Sequence, residues 1–286
     1  MPTSRRGFLG GAIGASVASM SVASMIEAAE PPAATAGDPG EIKLGVASYS
    51  FREFGRKIAI QGTKKCGVKY INFKDVHLPL TASKSDFEKA KTDLQKAGLT
   101  LLGGGNVSFQ TNDEADIRAK FEYAKNAGMP LIVCAPTHET LPKMEKYVKE
   151  YDIKIALHNH GPEDKHFPAP QSVLEAVKNM DPRCGLCMDI GHTARTGVDV
   201  VEWIVKAGPR LLDMHVKDLA DFTKRDSQVA CGDGKMPFPA IFRQLIKMNY
   251  QGGAMLEYEI DDTDPLPGMI KSIAYMRGVL AGIRST

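Results

Sequence analysis

Gly185-Leu186-Cys187-Met188-Asp189-Ile190-Gly191-His192 is an apolar run that ends on a carboxylate, with a glycine and an imidazole close behind. The same form recurs in the second half of the chain. Ile155-Ala156-Leu157-His158-Asn159-His160 ends on His158, Leu211-Leu212-Asp213-Met214-His215 on His215, and Gly253-Ala254-Met255-Leu256-Glu257 on Glu257. Successive polar ends are 31, 26 and 42 residues apart, each about the length of one strand–helix unit. In a closed ring of parallel strands that rhythm brings the four ends to one mouth, on the face where such barrels carry their chemistry. Two imidazoles and two carboxylates meeting there are donors for a divalent transition metal.

The alternation extends to the whole chain after Ile42. The strand candidates are residues 42–50, 68–75, 99–107, 130–136, 153–160, 185–192, 210–218 and 253–259, all aliphatic or β-branched runs of the kind found in parallel strands covered on both faces. Amphipathic stretches separate them. Ser85-x-x-Glu88 and Ser172-x-x-Glu175 have the form of capping boxes, and Gly98 and Gly128 stand where helices should stop. A final helix around residues 269–281 closes the ring. Eight such units predict an α/β fold, a single-domain (β/α)8 TIM barrel over residues 37–286.

Residues 1–36 read as an address and a tether. Arg5-Arg6 precedes a Gly/Ala/Ser-rich apolar stretch from Gly10 to Met25, the layout of a twin-arginine signal peptide, and Pro31 to Gly40 is a Pro/Ala/Gly linker. The expected location is the periplasm or another exported compartment, with no stable membrane span once the signal is cleaved. The chain has 36 Lys plus Arg against 34 Asp plus Glu, and this near-neutral balance points away from nucleic acid. The five scattered cysteines form no second C-x-x-C pair, so most read as small buried hydrophobes rather than a zinc knuckle. No signature of a particular oligomeric state stands out.

Strand alternation places residues i and i+2 on one face. His158 therefore points with His160, His215 with Lys217, Glu257 with Glu259, and Asp189 with Cys187. So much ionisable chemistry is costly in a barrel interior, which is normally aliphatic, unless it is used. Gly103-Gly104-Gly105-Asn106 lacks the spacing of a phosphate loop and reads as a tight turn; Cys231-Gly232-Asp233-Gly234 reads as an ordinary turn in a long rim loop.

Met188-Asp189-Ile190-Gly191-His192, His215-Val216-Lys217-Asp218 and Glu257-Tyr258-Glu259 carry a resemblance to the xylose-isomerase-like barrels, the sugar phosphate isomerase/epimerase group, and it runs from Gly45 to Pro267. It implies that Asp189, His215 and Glu257 bind one divalent ion and that His192 contacts the substrate. Family members commonly have Glu-Asn-His where this chain has His158-Asn159-His160, so the fourth ligand becomes a histidine and a two-glutamate mechanism does not transfer intact. Lys74 stands where the family often has an acid; Lys74, His77 and Arg52 are further candidates for substrate contact. The implied chemistry is proton abstraction beside a carbonyl through a metal-stabilised enediolate, with Glu257 or Glu259 as base and His160, His192 or Lys217 serving the other side. Mn²⁺ is the first expectation for the ion, with Co²⁺, Zn²⁺ and Ni²⁺ also suited.

The leading expectation is therefore a metal-dependent carbohydrate isomerase or epimerase. A lyase or hydratase that eliminates from a 3-keto-glycoside needs only one well-placed base. A non-catalytic sugar-binding barrel has no need of the metal ligands, and the DNA-binding apurinic-endonuclease branch fits neither the charge nor the export signal.

Overall fold

Eight apolar runs pair side by side, all parallel, into a closed barrel. The structure, a computed structural model, describes residues 41–285; the expected signal and tether, residues 1–36, lie outside that range. The barrel strands are β1 (Lys43–Ala47), β2 (Tyr70–Phe73), β3 (Thr100–Phe109), β4 (Leu131–Pro136), β5 (Lys154–His158), β6 (Cys184–Asp189), β7 (Leu211–Val216) and β10 (Gly253–Leu256). Each pairs with its sequence neighbours in the barrel, and β1 closes the ring on β10. Between β7 and β10 a short antiparallel ribbon, β8 (Asp218–Leu219) with β9 (Gln228–Val229), rises from the barrel.

The outer layer consists of α1 (Arg56–Lys65), α2 (Lys84–Ala97), α3 (Glu114–Ala127), α4 (Leu141–Tyr151), α5 (Pro170–Val177), α6 (Ile190–Arg195), α7 (Val200–Ala207), α8 (Phe238–Lys247) and α9 (Leu266–Arg284). Helix α8 shows why these segments are helical and where they face. Phe238, Ile241, Phe242 and Leu245 recur at helical spacing and are all buried. Each contributes about 1.5–3 kcal/mol by leaving water.

Gly98 and Gly128 end α2 and α3 as expected. The capping boxes do not fall where expected. Ser83 caps α2 by accepting from the Asp86 amide, which leaves Ser85 inside the helix. At α5 the helix starts after Ala169, and Ser172 turns back to the Ala169 carbonyl. A serine three residues before a glutamate marks the right neighbourhood, but the neighbouring Ser83 forms a better reciprocal pair.

The glycine run is also not a turn. Gly103, Gly104 and Gly105 lie within β3, the longest strand. Gly105 has φ +142°, and a Cβ there would stand 2.1 Å from the Val133 carbonyl oxygen of β4. The backbones come too close for a side chain, so the run serves strand packing.

Among the described residues, no helix is long and apolar enough to cross a membrane.

Candidate metal centre and its mouth

Strand register assembles the centre. Residue His158 at the end of β5 lies opposite Cys187, while Asp189 at the end of β6 lies opposite His215. Glu257 follows β10 directly and donates its backbone N–H to Val216 O of β7. His158, Asp189, His215 and Glu257 are all buried, and one ligand atom from each lies within 4.8 Å of all the others.

The separations suit a coordination shell. His158 Nε2 is 3.0 Å from His215 Nδ1 and 3.5 Å from Asp189 Oδ2, and His215 Nδ1 is 3.2 Å from Glu257 Oε1. Donors about 2.1 Å from one ion stand roughly 3.0 Å apart in an octahedron and roughly 3.4 Å apart in a tetrahedron. Two buried atoms, His158 Nδ1 and Asp189 Oδ2, accept or donate no hydrogen bond, although the Lys217 ammonium stands 3.0 Å from Asp189 Oδ2. Buried polar atoms are rarely left so.

The local scaffold aims these groups. Asp189 Oδ1 accepts from the His192 N–H and caps α6, which turns Oδ2 to the centre. The Asn159 side chain accepts from the Asp189 N–H and donates to Thr193 Oγ1. At Gly191 a Cβ would fall 2.6 Å from Lys217 Cγ, so the glycine of the Asp-x-Gly-His stretch makes room for that lysine.

Lys217 is buried, with Nζ 3.0 Å from Asp189, 2.7 Å from Glu257 and 2.8 Å from Glu259. Burial alone would discharge it, but the Asp189, Glu257 and Glu259 carboxylates override this and hold it firmly as an ammonium. Burial likewise pushes the Asp189 carboxyl up, and Lys217 overrides it, holding the group well below its usual range. The Glu257 carboxyl is pushed up by burial and pulled well below its usual range by His215 and Lys217. Burial lowers the His158 imidazole to about 3, so it is a neutral ring with lone pairs to offer. His215 loses by burial but gains more from Glu257, and its value is raised. His215 would give up its proton on ligating an ion, and with both rings then neutral three carboxylates would face one ammonium, a deficit of two positive charges that a divalent cation would cancel. The residues present fit such an ion.

Above the centre opens a cavity of about 750 Å³. His160, His192, Arg52 and Glu259 line it. The His158 and His160 rings are 4.5 Å apart and the His160 and His192 rings 5.4 Å, so imidazoles lead from the interior to the mouth. Burial lowers His192, which accepts from Arg195 through Nδ1. Arg52 lies over the Tyr49 ring and pairs with Asp262, and its Nη1 is buried without a partner.

The other two candidates sit elsewhere. His77 is buried with its Nδ1 on Ser48 Oγ and its Nε2 on the carbonyls of Phe51 and Phe54, and it does not line this cavity. Lys74 Nζ donates to Asn106 O and pairs with Asp75, and it too is outside the cavity lining. Conversely, Tyr49, Glu163, Arg195, Arg225, Asp226 and Gln228 line the mouth without having been anticipated. Arg195 follows His192 by one helical turn and was legible in principle; Tyr49 lies in a 3-10 turn after β1, Gln228 begins the two-residue β9, and Glu163, Arg225 and Asp226 come from loops with no periodicity. A second cavity, about 580 Å³, opens at the strand N-termini beside Lys43 and Lys154, on the face such barrels use for structure rather than chemistry.

A closed parallel barrel with a four-donor centre and a polar mouth at its strand C-termini defines the chain as a TIM barrel with a candidate metal site. The chain belongs to the xylose isomerase-like TIM barrel family, whose profile matches residues 60–279. It is 27% identical to an inosose dehydratase of Mesomycoplasma hyopneumoniae, with 69% of this chain and 72% of that protein covered. Among solved structures it resembles the 3-keto-D-glucoside 4-epimerase YcjR of E. coli (TM-score 0.68, 16% identity, 83% of this chain and all of that one covered). It also resembles the D-psicose 3-epimerase of Clostridium cellulolyticum H10 (TM-score 0.69, 17% identity, 84% and 99% covered). At these identities the structural likeness speaks to fold.

Proposed function

We propose that the protein is a metal-dependent enzyme that removes a proton from the carbon beside a carbonyl of a keto-sugar or keto-polyol and then expels a substituent from the next carbon. The observation that carries this is the buried cluster of His158, Asp189, His215 and Glu257, with one donor atom from each close enough to share an ion, beneath a polar cavity. A divalent ion held by those four residues supplies a Lewis acid for the carbonyl oxygen.

The chain's own groups divide the remaining work. Glu257 has one oxygen toward His215 and the other on Lys217, so it holds rather than abstracts. Of the three carboxylates on Lys217, Glu259 is the one that lines the cavity, and it is the base. The electron pair of the broken C–H bond moves toward the carbonyl oxygen and returns to break the bond to the leaving group. That group takes a proton from the mouth, where the half-exposed His160 stands beside the ligands. Lys217 keeps its proton and presents a fixed positive charge, which favours developing negative charge beside it. Arg52 Nη1 and His192 are placed to bind hydroxyls.

Elimination is preferred because β5 carries His158, a neutral, buried ligand, where a second carboxylate base would stand. The dehydratase name of the M. hyopneumoniae relative agrees with it. Epimerisation or isomerisation is the second reading, favoured by His160 and Glu259 lining one cavity, so that a proton removed by one group can return from the other. Export through the Arg5-Arg6 signal belongs to the proposal, and extracytoplasmic glycosides suit it.

Proton NMR in D₂O of the metal-loaded protein with inososes, 3-keto-glycosides and free keto-sugars tests this. Loss of the substituent with a new enone or its hydrate is expected. Deuterium entering beside the carbonyl with all bonds to substituents intact would make it an epimerase or isomerase. No exchange and no product across the panel, with metal bound, would overturn both.

A further inference from the structure

Five cysteines are present among the described residues, all free and buried. Cys66, Cys134, Cys184 and Cys231 pack within the main hydrophobic core. Cys187 differs. It is two residues before Asp189 on the same face of β6, so it lies one layer deeper in the barrel, opposite His158 on one side and Asp213 on the other. One ligand atom from each of His158, Cys187 and His215 lies within 4.8 Å of the other two, a second donor set that shares both histidines with the first.

We propose that Cys187 is a further ligand at the inner face of the metal centre and that the ion there is one that accepts thiolate with imidazole, Zn²⁺ or Co²⁺, rather than Mn²⁺. This rests on the four-residue centre being a metal site. Zinc–sulfur and zinc–nitrogen bonds are about 2.3 and 2.0–2.1 Å, which in a shell of five or six donors puts sulfur and nitrogen roughly 3.1 Å apart at a right angle and roughly 4.4 Å apart across the ion. The separations, all within 4.8 Å, reach these values by small side-chain rotations. Thiolate and imidazole are donors that zinc and cobalt take readily, whereas manganese is suited to carboxylate and water.

At present the thiol contacts Asp213 Oδ2 at 3.7 Å. Burial, with Asp213, Asp189 and Glu257 nearby, keeps it protonated. Ligation therefore forms a metal–sulfur bond as the S–H proton leaves to solvent, and uptake of the ion releases that proton.

Cobalt gives the test. The stripped protein is loaded with Co²⁺, and its absorption is recorded alongside that of Cys187→Ser, with bound metal measured by equilibrium dialysis. A thiolate-to-cobalt charge-transfer band in the near ultraviolet, absent from the variant while cobalt still binds, is expected. The Zn²⁺-over-Mn²⁺ affinity ratio should also fall at least about tenfold in the variant. Bound cobalt without the band, or a band unchanged in Cys187→Ser, overturns the ligand assignment and leaves the four-residue centre intact. No bound cobalt overturns both. X-ray absorption of the zinc-loaded natural protein is a check independent of the variant's folding: a sulfur neighbour at about 2.3 Å is expected, and a shell of nitrogen and oxygen alone would contradict it.

Discussion

Glu259→Gln removes the base and leaves the four donors in place. Turnover should drop about 10²–10⁴-fold while metal content is unchanged, measured by NMR rate and by metal analysis of the same sample. Equal turnover would move the base elsewhere. His77 supplies a contrast at the same scale. Burial pushes its imidazole below the ordinary histidine value, against the pull of the Phe51 and Phe54 carbonyls. The folded ring stays neutral where the unfolded one takes a proton, so stability present above about pH 6.5 is lost as pH falls below it. His77→Gln should flatten that slope by up to about 1.4 kcal/mol per pH unit, read from urea unfolding at several pH values. An unchanged slope would show that the folded ring is already charged. The sequence distinguished these histidines poorly. His158 ends an apolar run and His77 comes four residues after one, but only the three-dimensional packing shows that His77 spends both nitrogens on Ser48 and two carbonyls.

The excursion between β7 and β10 is where one carboxylate organises an element. Asp218 accepts from the backbone N–H groups of Leu219, Gly232, Gly234 and Met236. This gives the Cys231-to-Gly234 turn its reason and ties down the segment that delivers Gln228. Gln228 in turn donates to Glu257 O and accepts from Glu259 N, continuing the sheet just past the end of β10. Asp218→Ala strands several donors at once and should cost about 3–5 kcal/mol. That corresponds to about 10 °C in melting temperature for a domain of this size, with new tryptic cleavage at Lys224 or Arg225. Asp218→Asn keeps one acceptor oxygen and should lose about half as much. Melting within about 1 °C of the natural protein would show that the loop holds without the carboxylate. Such loops are where sequence reading ran out: Asp218 stood in a quoted motif, but its four partners lie up to 18 residues away and follow no period. The β3 glycines were misread for a related reason, since their need comes from β4 rather than from their own neighbours.

At the scale of the molecule the barrel was legible because its strands are short and mostly apolar with ionisable groups gathered at their ends, although Asn72 and Asp213 lie within β2 and β7 and hydrogen-bond to each other. The charge imbalance was not legible, because it depends on Lys217 reaching three carboxylates from two other strands. On the proposed reading a divalent ion offsets these carboxylates, so its binding should raise stability as well as support chemistry. Metal content and affinity of the natural protein, Asp189→Ala and His215→Ala, determined by plasma mass spectrometry and calorimetry on folded samples, is therefore the measurement to make. About one divalent ion per natural chain is expected, with affinity at least about a hundredfold weaker in either variant. Equal metal retention in all three would contradict a centre built from these strand ends.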